Sequence, residues 1–333
     1  MAAHPPAGPR PALRAVPRTG LPAVPRTGLP AAPRGGLPVR RNLGLLVPAA
    51  LAVLLVLLAL AAPLVAPYDP AAGTLTDRLL DPGSPGHPLG TDGQGRDLLS
   101  RLIWAGRASL TGGLVPVSVA TVAGTLLGVA AGLGGRFTEQ ALLRTLDVLY
   151  AFPGVLLAIA VASLLTPGLG ATVLALSVVL TPAVARVAFT ETRRIRSAEY
   201  LEAARVSGAG WGALVLRQVA PVVAPVVLVY ASSLVGLAVV YAAGLSFLGL
   251  GVAPPTAEWG AMLDELRPAL LTHPWVAVLP GLVILAVSVV FNTLGEALRT
   301  RVGDTAAHLP RATAAARRPT PAAPRGATEQ VSR

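Results

Sequence analysis

Between two long apolar stretches lies a short island of charge and small side chains, Glu202-Ala203-Ala204-Arg205-Val206-Ser207-Gly208. The work these residue types could do is mechanical. Ala203 and Ala204 leave little side chain between the backbone and an approaching partner, Glu202 offers a charge, and Gly208 can end a helix in the left-handed conformation. Ser197 is placed to cap a first turn and Glu199 suits the positive end of a helix, so the spacing predicts a helix over residues 198–207, roughly 15 Å long. Gly208, Gly210 and Gly212 then turn the chain into a second apolar piece, residues 211–216, which runs through Arg217 into Pro221 and Pro225. The implied shape is helix, turn, helix. It has two uses, as a docking point for a moving partner or as an amphipathic connector on a membrane surface.

Other polar groups sit inside apolar runs. Tyr230, Ser232, Ser233 and Tyr241 fall in one, and Ser288 and Asn292 in another. They are candidates either for a translocation path or for hydrogen bonds between packed helices. Arg144 and Asp147, three apart, can pair on one helix face before the next run begins, as anchors at a membrane edge or as a gating element. Catalytic and metal chemistry find no footing. The chain has no cysteine, and its four histidines are scattered, so neither a thiolate site nor a metal cluster is expected. Every basic side chain other than histidine is arginine, and a phosphate-binding P-loop requires lysine.

What positions these residues is a membrane. With 53% hydrophobic and 13% charged residues and a mean hydropathy of +0.65, the composition is that of an all-α integral membrane protein rather than a soluble domain. The net charge of +11 comes from arginines in tails and loops, where they set orientation and meet anionic lipid; no nucleic-acid partner is expected. Apolar runs at 43–63, 110–133, 148–165, 169–189, 221–245 and 276–294 predict six transmembrane helices, with a kink at Pro153-Gly154. Arg10, Arg14, Arg18, Arg26, Arg34, Arg40 and Arg41 precede the first span, so it should run outward. Both termini are then cytoplasmic, in a multi-pass protein of the cell membrane.

The organisation that follows has five parts. Residues 1–41, with an eight-residue near-repeat at 15–22, 23–30 and 31–38, form a disordered tail rich in proline and arginine. Residues 42–66 hold the first transmembrane helix and 67–107 an extracytoplasmic segment, in which Asp97 is suited to start a helix. Residues 108–304 are a core of five further transmembrane helices, including the loop at 197–221. Residues 305–333 form a second disordered cytoplasmic tail.

Glutamate, two alanines, three residues, glycine, and proline thirteen residues later at Pro221 together resemble the EAA loop of ATP-binding-cassette importer permeases. Val219 and Ala220 stand where that family usually has larger aliphatics. Two further stretches resemble the dipeptide and oligopeptide (peptide/nickel) branch. One is His87-Pro88-Leu89-Gly90-Thr91-Asp92 with Gly95-Arg96-Asp97, continuing from Leu98 to Leu110. The other is Leu245-Ser246-Phe247-Leu248-Gly249-Leu250-Gly251, leading to Glu258-Trp259-Gly260-Ala261-Met262-Leu263.

The resemblance covers residues 43–304 and implies a type I importer permease bundle whose cytoplasmic coupling helix carries Glu202, Ala203, Ala204 and Gly208. It implies a second permease, two ATPase subunits holding ATP and magnesium, and an extracytoplasmic solute-binding protein, with no cofactor on this chain and no enzymatic activity of its own. Di- and oligopeptides are the implied substrates; nickel complexes or another small solute are the alternative within the branch. An ion-coupled transporter would instead carry internal repeats and acidic groups near the midplane, and the six runs hold almost no acid. A membrane-anchored structural or receptor protein would need no charged helix-turn between spans four and five.

Overall fold

The computed structural model describes the backbone of residues 38–308 and the side chains of residues 43–302. The near-repeat and most of both tails lie outside the described residues. Within them all regular structure is helical, without a regular strand, as it must be where lipid offers backbone groups no partner.

Helix α1 (Pro38–Leu60) and the short α2 (Ala62–Val65) lead into an irregular segment, after which α3 (Leu98–Leu133) crosses the bundle. Then come α4 (Arg136–Tyr150) and α5 (Gly154–Ser163), bent by 90° at the predicted Pro153-Gly154 break. The order continues with α6 (Leu169–Ile195), α7 (Glu199–Val206), α8 (Trp211–Leu214), α9 (Ala220–Phe247), α10 (Trp259–Leu266) and α11 (Pro274–His308). Five helices are long and apolar enough to cross a membrane, and there are six crossings when the bent α4–α5 pair is counted as one span. Several helices outrun the bounds read from the sequence: α1 begins at Pro38 rather than 42, α3 at Leu98 rather than 110, α6 ends at Ile195 rather than 189, and α11 continues to His308, past 304.

Close approaches fix the directions of the crossings. Gly112, Gly124, Gly128 and Gly132 of α3 meet Leu169, Val184, Ala185 and Thr192 of α6 in the same order, so these helices run parallel. A return is therefore required between them, and α4–α5 supplies it; the Gly168 amide donates to the Leu250 carbonyl at the far end, 3.4 Å away. Gly112 and Gly113 of α3 pack on Ala242 and Val239 of α9, and Gly236 and Ser233 of α9 meet Ser288 and Gly295 of α11; in both pairs one number rises as the other falls, so α9 opposes both. With six crossings, α1 starts and α11 ends at the end of the bundle that carries α7.

Small residues at i, i+4 and i+8 let α3 and α6 approach until their backbones touch. A β-carbon on Gly128 would fall 2.4 Å from the Ala185 carbonyl oxygen. We expect Gly128→Leu to lower the melting temperature and the monodisperse yield in detergent, by the 1–3 kcal/mol or so typical of overpacking, or more. Gly170→Leu, whose β-carbon meets nothing within 4 Å, is the control. An unchanged melting temperature in Gly128→Leu would show that the seam is loose.

Candidate functional site

The charged island forms at one end of the bundle. Helix α7 spans eight residues rather than ten, and its N-cap is Ala198, without a side-chain cap bond. Ser197 stands one residue too early: Leu201 and Glu202 donate their amides to the Ala198 carbonyl, so the first turn already starts there. Glu199 and Glu202 occupy that turn, where the helix dipole favours negative charge. At the other end Gly208 has φ +80°. Its amide donates to the Arg205 carbonyl at 3.0 Å and the Ala209 amide to the Ala204 carbonyl at 3.1 Å, the paired bonds of a Schellman cap.

One side chain anchors α7. Leu201 is fully buried in the main core with Ile195, Leu214 and Val219, and Ala204 is half-buried against it. Glu202, Ala203, Arg205 and Gly208 are exposed. Around them Val206 is 90% exposed, Leu216 73% and Trp211 61%. Large apolar groups exposed beside charge mark a surface that a partner protein or a membrane covers. Residues Val215–Val219 then wind as a π-helical turn before α9, a local unwinding often found where a helix serves a function.

The opposite end is tied together by buried charge. Asp92 accepts hydrogen bonds from the Arg96 amide (3.0 Å), Arg96 Nε (2.7 Å) and Arg101 Nη1. Both guanidinium groups also reach Glu265 Oε2 on α10, each at 2.6 Å. Burial alone would raise the Asp92 carboxyl, but the Arg96 amide, the Arg101 guanidinium, the Gln94 amide and the Arg96 guanidinium outweigh it and hold the carboxyl below its usual range. Asp97 caps α3 as expected, accepting from the Ser100 amide at 2.8 Å, and its other oxygen meets His87 Nδ1 at 3.0 Å. Glu258 caps α10 through the Ala261 amide and accepts from Ser109, while Trp259 Nε1 donates to the Leu102 carbonyl. Sequence reading marked these stretches without foreseeing their joint role. The Arg101–Glu265 pair spans 164 positions, and no local pattern announces it.

The mid-bundle polar residues separate into two groups. Ser288 donates across the α9–α11 seam to the Gly236 carbonyl at 3.1 Å, Ser232 donates within its own helix to Val229, and Asn292 and Ser233 lie against Gly236 and Gly295 respectively. Tyr241 is elsewhere. With Tyr230, Tyr150 and Phe152 it lines a cavity of about 320 Å³ at the α4–α5 break. The expected Arg144–Asp147 pair is replaced: Asp147 accepts from Arg186 Nη2 of α6 at 2.6 Å. The cause is α6 passing beside α4, which also lays the Arg186 guanidinium 4.3 Å over the Tyr150 ring.

A helical bundle of six crossings, with one exposed helix-turn at an end and no metal-binding cluster of side chains among the described residues, has the make-up of a multi-pass transport component. The family of binding-protein-dependent transport system inner membrane components matches residues 124–304, and the chain belongs to it. It is 41% identical over 252 residues to the di/tripeptide transport system permease protein DppC of Pseudomonas aeruginosa, covering 74% of this chain and 83% of that one. Over 246 residues it is 39% identical to the glutathione transport system permease protein GsiD of Pectobacterium atrosepticum, covering 74% and 82%. Among solved structures it is similar to the MetNI methionine ABC transporter (15% identity, TM-score 0.47, covering 60% of this chain and 95% of that one) and to an amino acid ABC transporter (14%, TM-score 0.48, 61% and 94%). The chain is thus a permease subunit of an ATP-binding-cassette importer. Members of this family act with another permease, ATPases and a binding protein, and ATP hydrolysis lies in the separate ATPase subunits.

Proposed function

We propose that this permease forms, with a second and different permease, the path by which di- and oligopeptides enter the cell, and that α7 is its coupling helix to one of two ATPase subunits. The observation that carries the coupling role is the exposed rim of Val206, Trp211 and Leu216 around a helix anchored by the buried Leu201, with Ala204 half-buried beside it. A partner that covers the rim can push on the bundle through this buried contact. ATP and magnesium stay on the partners; Glu202, Ala203, Ala204 and Gly208 supply the contact. Peptide as substrate is supported by the names of the two relatives above, a di/tripeptide and a glutathione permease.

Charge supports the orientation. Arg136, Arg144, Arg193, Arg194, Arg196, Arg205 and Arg217 lie toward the α7 end, against Arg78, Arg96, Arg101 and Arg267 at the other; the excess of arginine makes the first cytoplasmic by the positive-inside rule. The binding protein would then dock on the face built from residues 67–97 and α10. Reporter fusions after Asp77 and Asp264 should read as external and one after Gly208 as internal. The complete importer in liposomes should accumulate dipeptide only with ATP and binding protein, and this chain alone should hydrolyse none. An internal signal at Asp264, or ATP turnover by the purified chain, would overturn the reading.

A further inference from the structure

Aromatic side chains are scarce here, 4% of the sequence, with five tyrosines, five phenylalanines and four tryptophans. Three of those tyrosines and one phenylalanine nevertheless converge on the single cavity at the α4–α5 break. Tyr150 and Phe152 come from the break itself, Tyr230 and Tyr241 from α9, and Val179, Leu180 and Ala183 of α6 form the back wall. Among the described residues none of the three tyrosine hydroxyls has a hydrogen-bond partner within the chain. Beside the cavity stands the Arg186–Asp147 pair, linked to it through the Tyr150 ring. Both charges are about half exposed, 44% and 51%, and Arg186 stands three residues, about 4.5 Å, before the end of its apolar run at 189. The pair therefore lies near the edge of the apolar layer, where charged side chains reach water.

We propose that the cavity is a subsite on the translocation path that holds one apolar or aromatic side chain of a short zwitterionic peptide in transit. The inference rests on the peptide reading above. The rings pack on the substrate side chain, the free hydroxyls meet its peptide groups, and the Arg186–Asp147 pair faces its carboxylate and ammonium ends. At about 320 Å³ the space lies at the lower edge of small-molecule sites, about 300–1,000 Å³, which suits one or two residues and not a long chain. Tyr230 and Tyr241 thereby give the permease a preference of its own, separate from that of the binding protein.

The test is initial uptake by the complete importer in liposomes, with one binding protein throughout, for Ala-Phe, Ala-Ala and C-terminally amidated Ala-Phe. Tyr241→Ala and Tyr230→Ala should each lower Ala-Phe uptake about tenfold relative to Ala-Ala, the usual discrimination of an apolar pocket. Tyr241→Phe and Tyr230→Phe should restore most of it. Arg186→Gln should raise the KM for Ala-Phe and remove the disadvantage of the amide, while Arg186→Lys keeps it. Unchanged selectivity in both alanine variants would overturn the inference alone. An equal fall for all peptides, with loss of the second permease from the purified complex, would also overturn it, because the cavity would then be filled by that subunit. A wild-type complex that takes up none of these peptides would overturn the peptide reading and this inference together.

Discussion

Arg101→Ala should destabilise the folded permease by about 3–5 kcal/mol, the usual cost of removing one partner from a buried ion pair. Arg101 and Asp92 are each 1% exposed and Arg96 3%, with Glu265 at 16%. Two guanidinium groups balance two carboxylates, so the cluster is neutral only when complete. Deleting Arg101 would leave two carboxylates sharing Arg96, with water reaching them only from the cavity beside Glu265. The network is not fully satisfied even when whole: Arg101 Nε and Nη2 and Glu265 Oε1 are buried without a hydrogen-bond partner. Its net contribution is therefore smaller than the cost of breaking it, and Asp92→Asn added to Arg101→Met should recover part of the loss. Melting temperature in detergent and protease cleavage within residues 67–97 report the effect. Acid gives a second handle. Because the Asp92 carboxyl is held below its ordinary value of 3.8, its stabilisation is complete above that pH and declines as the pH falls toward the lower folded value. Arg101→Ala with wild-type melting and intact protease resistance would mean that the loop is held by other contacts.

What could be read in the amino-acid order follows from the range of each force. The apolar runs are long and continuous, so five unbroken crossings and the 90° break at Pro153-Gly154 follow from composition and one local breaker. Capping depends on neighbours within four residues, which is why Asp97 and Gly208 were identifiable. Ser197 failed by one position because a cap needs the carbonyl that starts the helix, and a turn from Ile195 to Ala198 decides which one that is. Arg144 and Asp147 satisfied an i, i+3 rule, yet Arg186, 39 positions away, won the carboxylate. Tertiary proximity is invisible to such a rule. The same limit hid the Arg101–Glu265 link, 164 positions apart, and the meeting of Tyr150 with Tyr230 and Tyr241, which the parallel run of α3 and α6 brings about by sending α4–α5 back across the bundle.

Gly208→Val should cut the amount of ATPase that co-purifies with the complex by about tenfold or more, with peptide uptake falling in step. Nothing lies within 4 Å of a β-carbon at this position, so the effect cannot come from a clash with the rest of the chain. It comes from the backbone: φ is +80°, where a side chain costs about 1–2 kcal/mol and a branched one more, and each 1.4 kcal/mol is about a factor of ten in an equilibrium. A valine would release the Arg205 and Ala204 carbonyls from the amides of Gly208 and Ala209 and fray the last turn of α7, beside Val206. Asparagine tolerates the left-handed region, so Gly208→Asn should keep most of the bound ATPase and separates conformation from mere substitution. Glu202→Ala should weaken the contact by a different route, removing a charge from the first turn without touching the cap. Neither change enters an apolar crossing, so membrane insertion and expression should stay at wild-type levels and permit comparison at matched amounts. Wild-type ATPase binding and uptake in Gly208→Val would reduce the helix-turn to a connector between α6 and α9, and the exposed rim of Val206, Trp211 and Leu216 would need another partner.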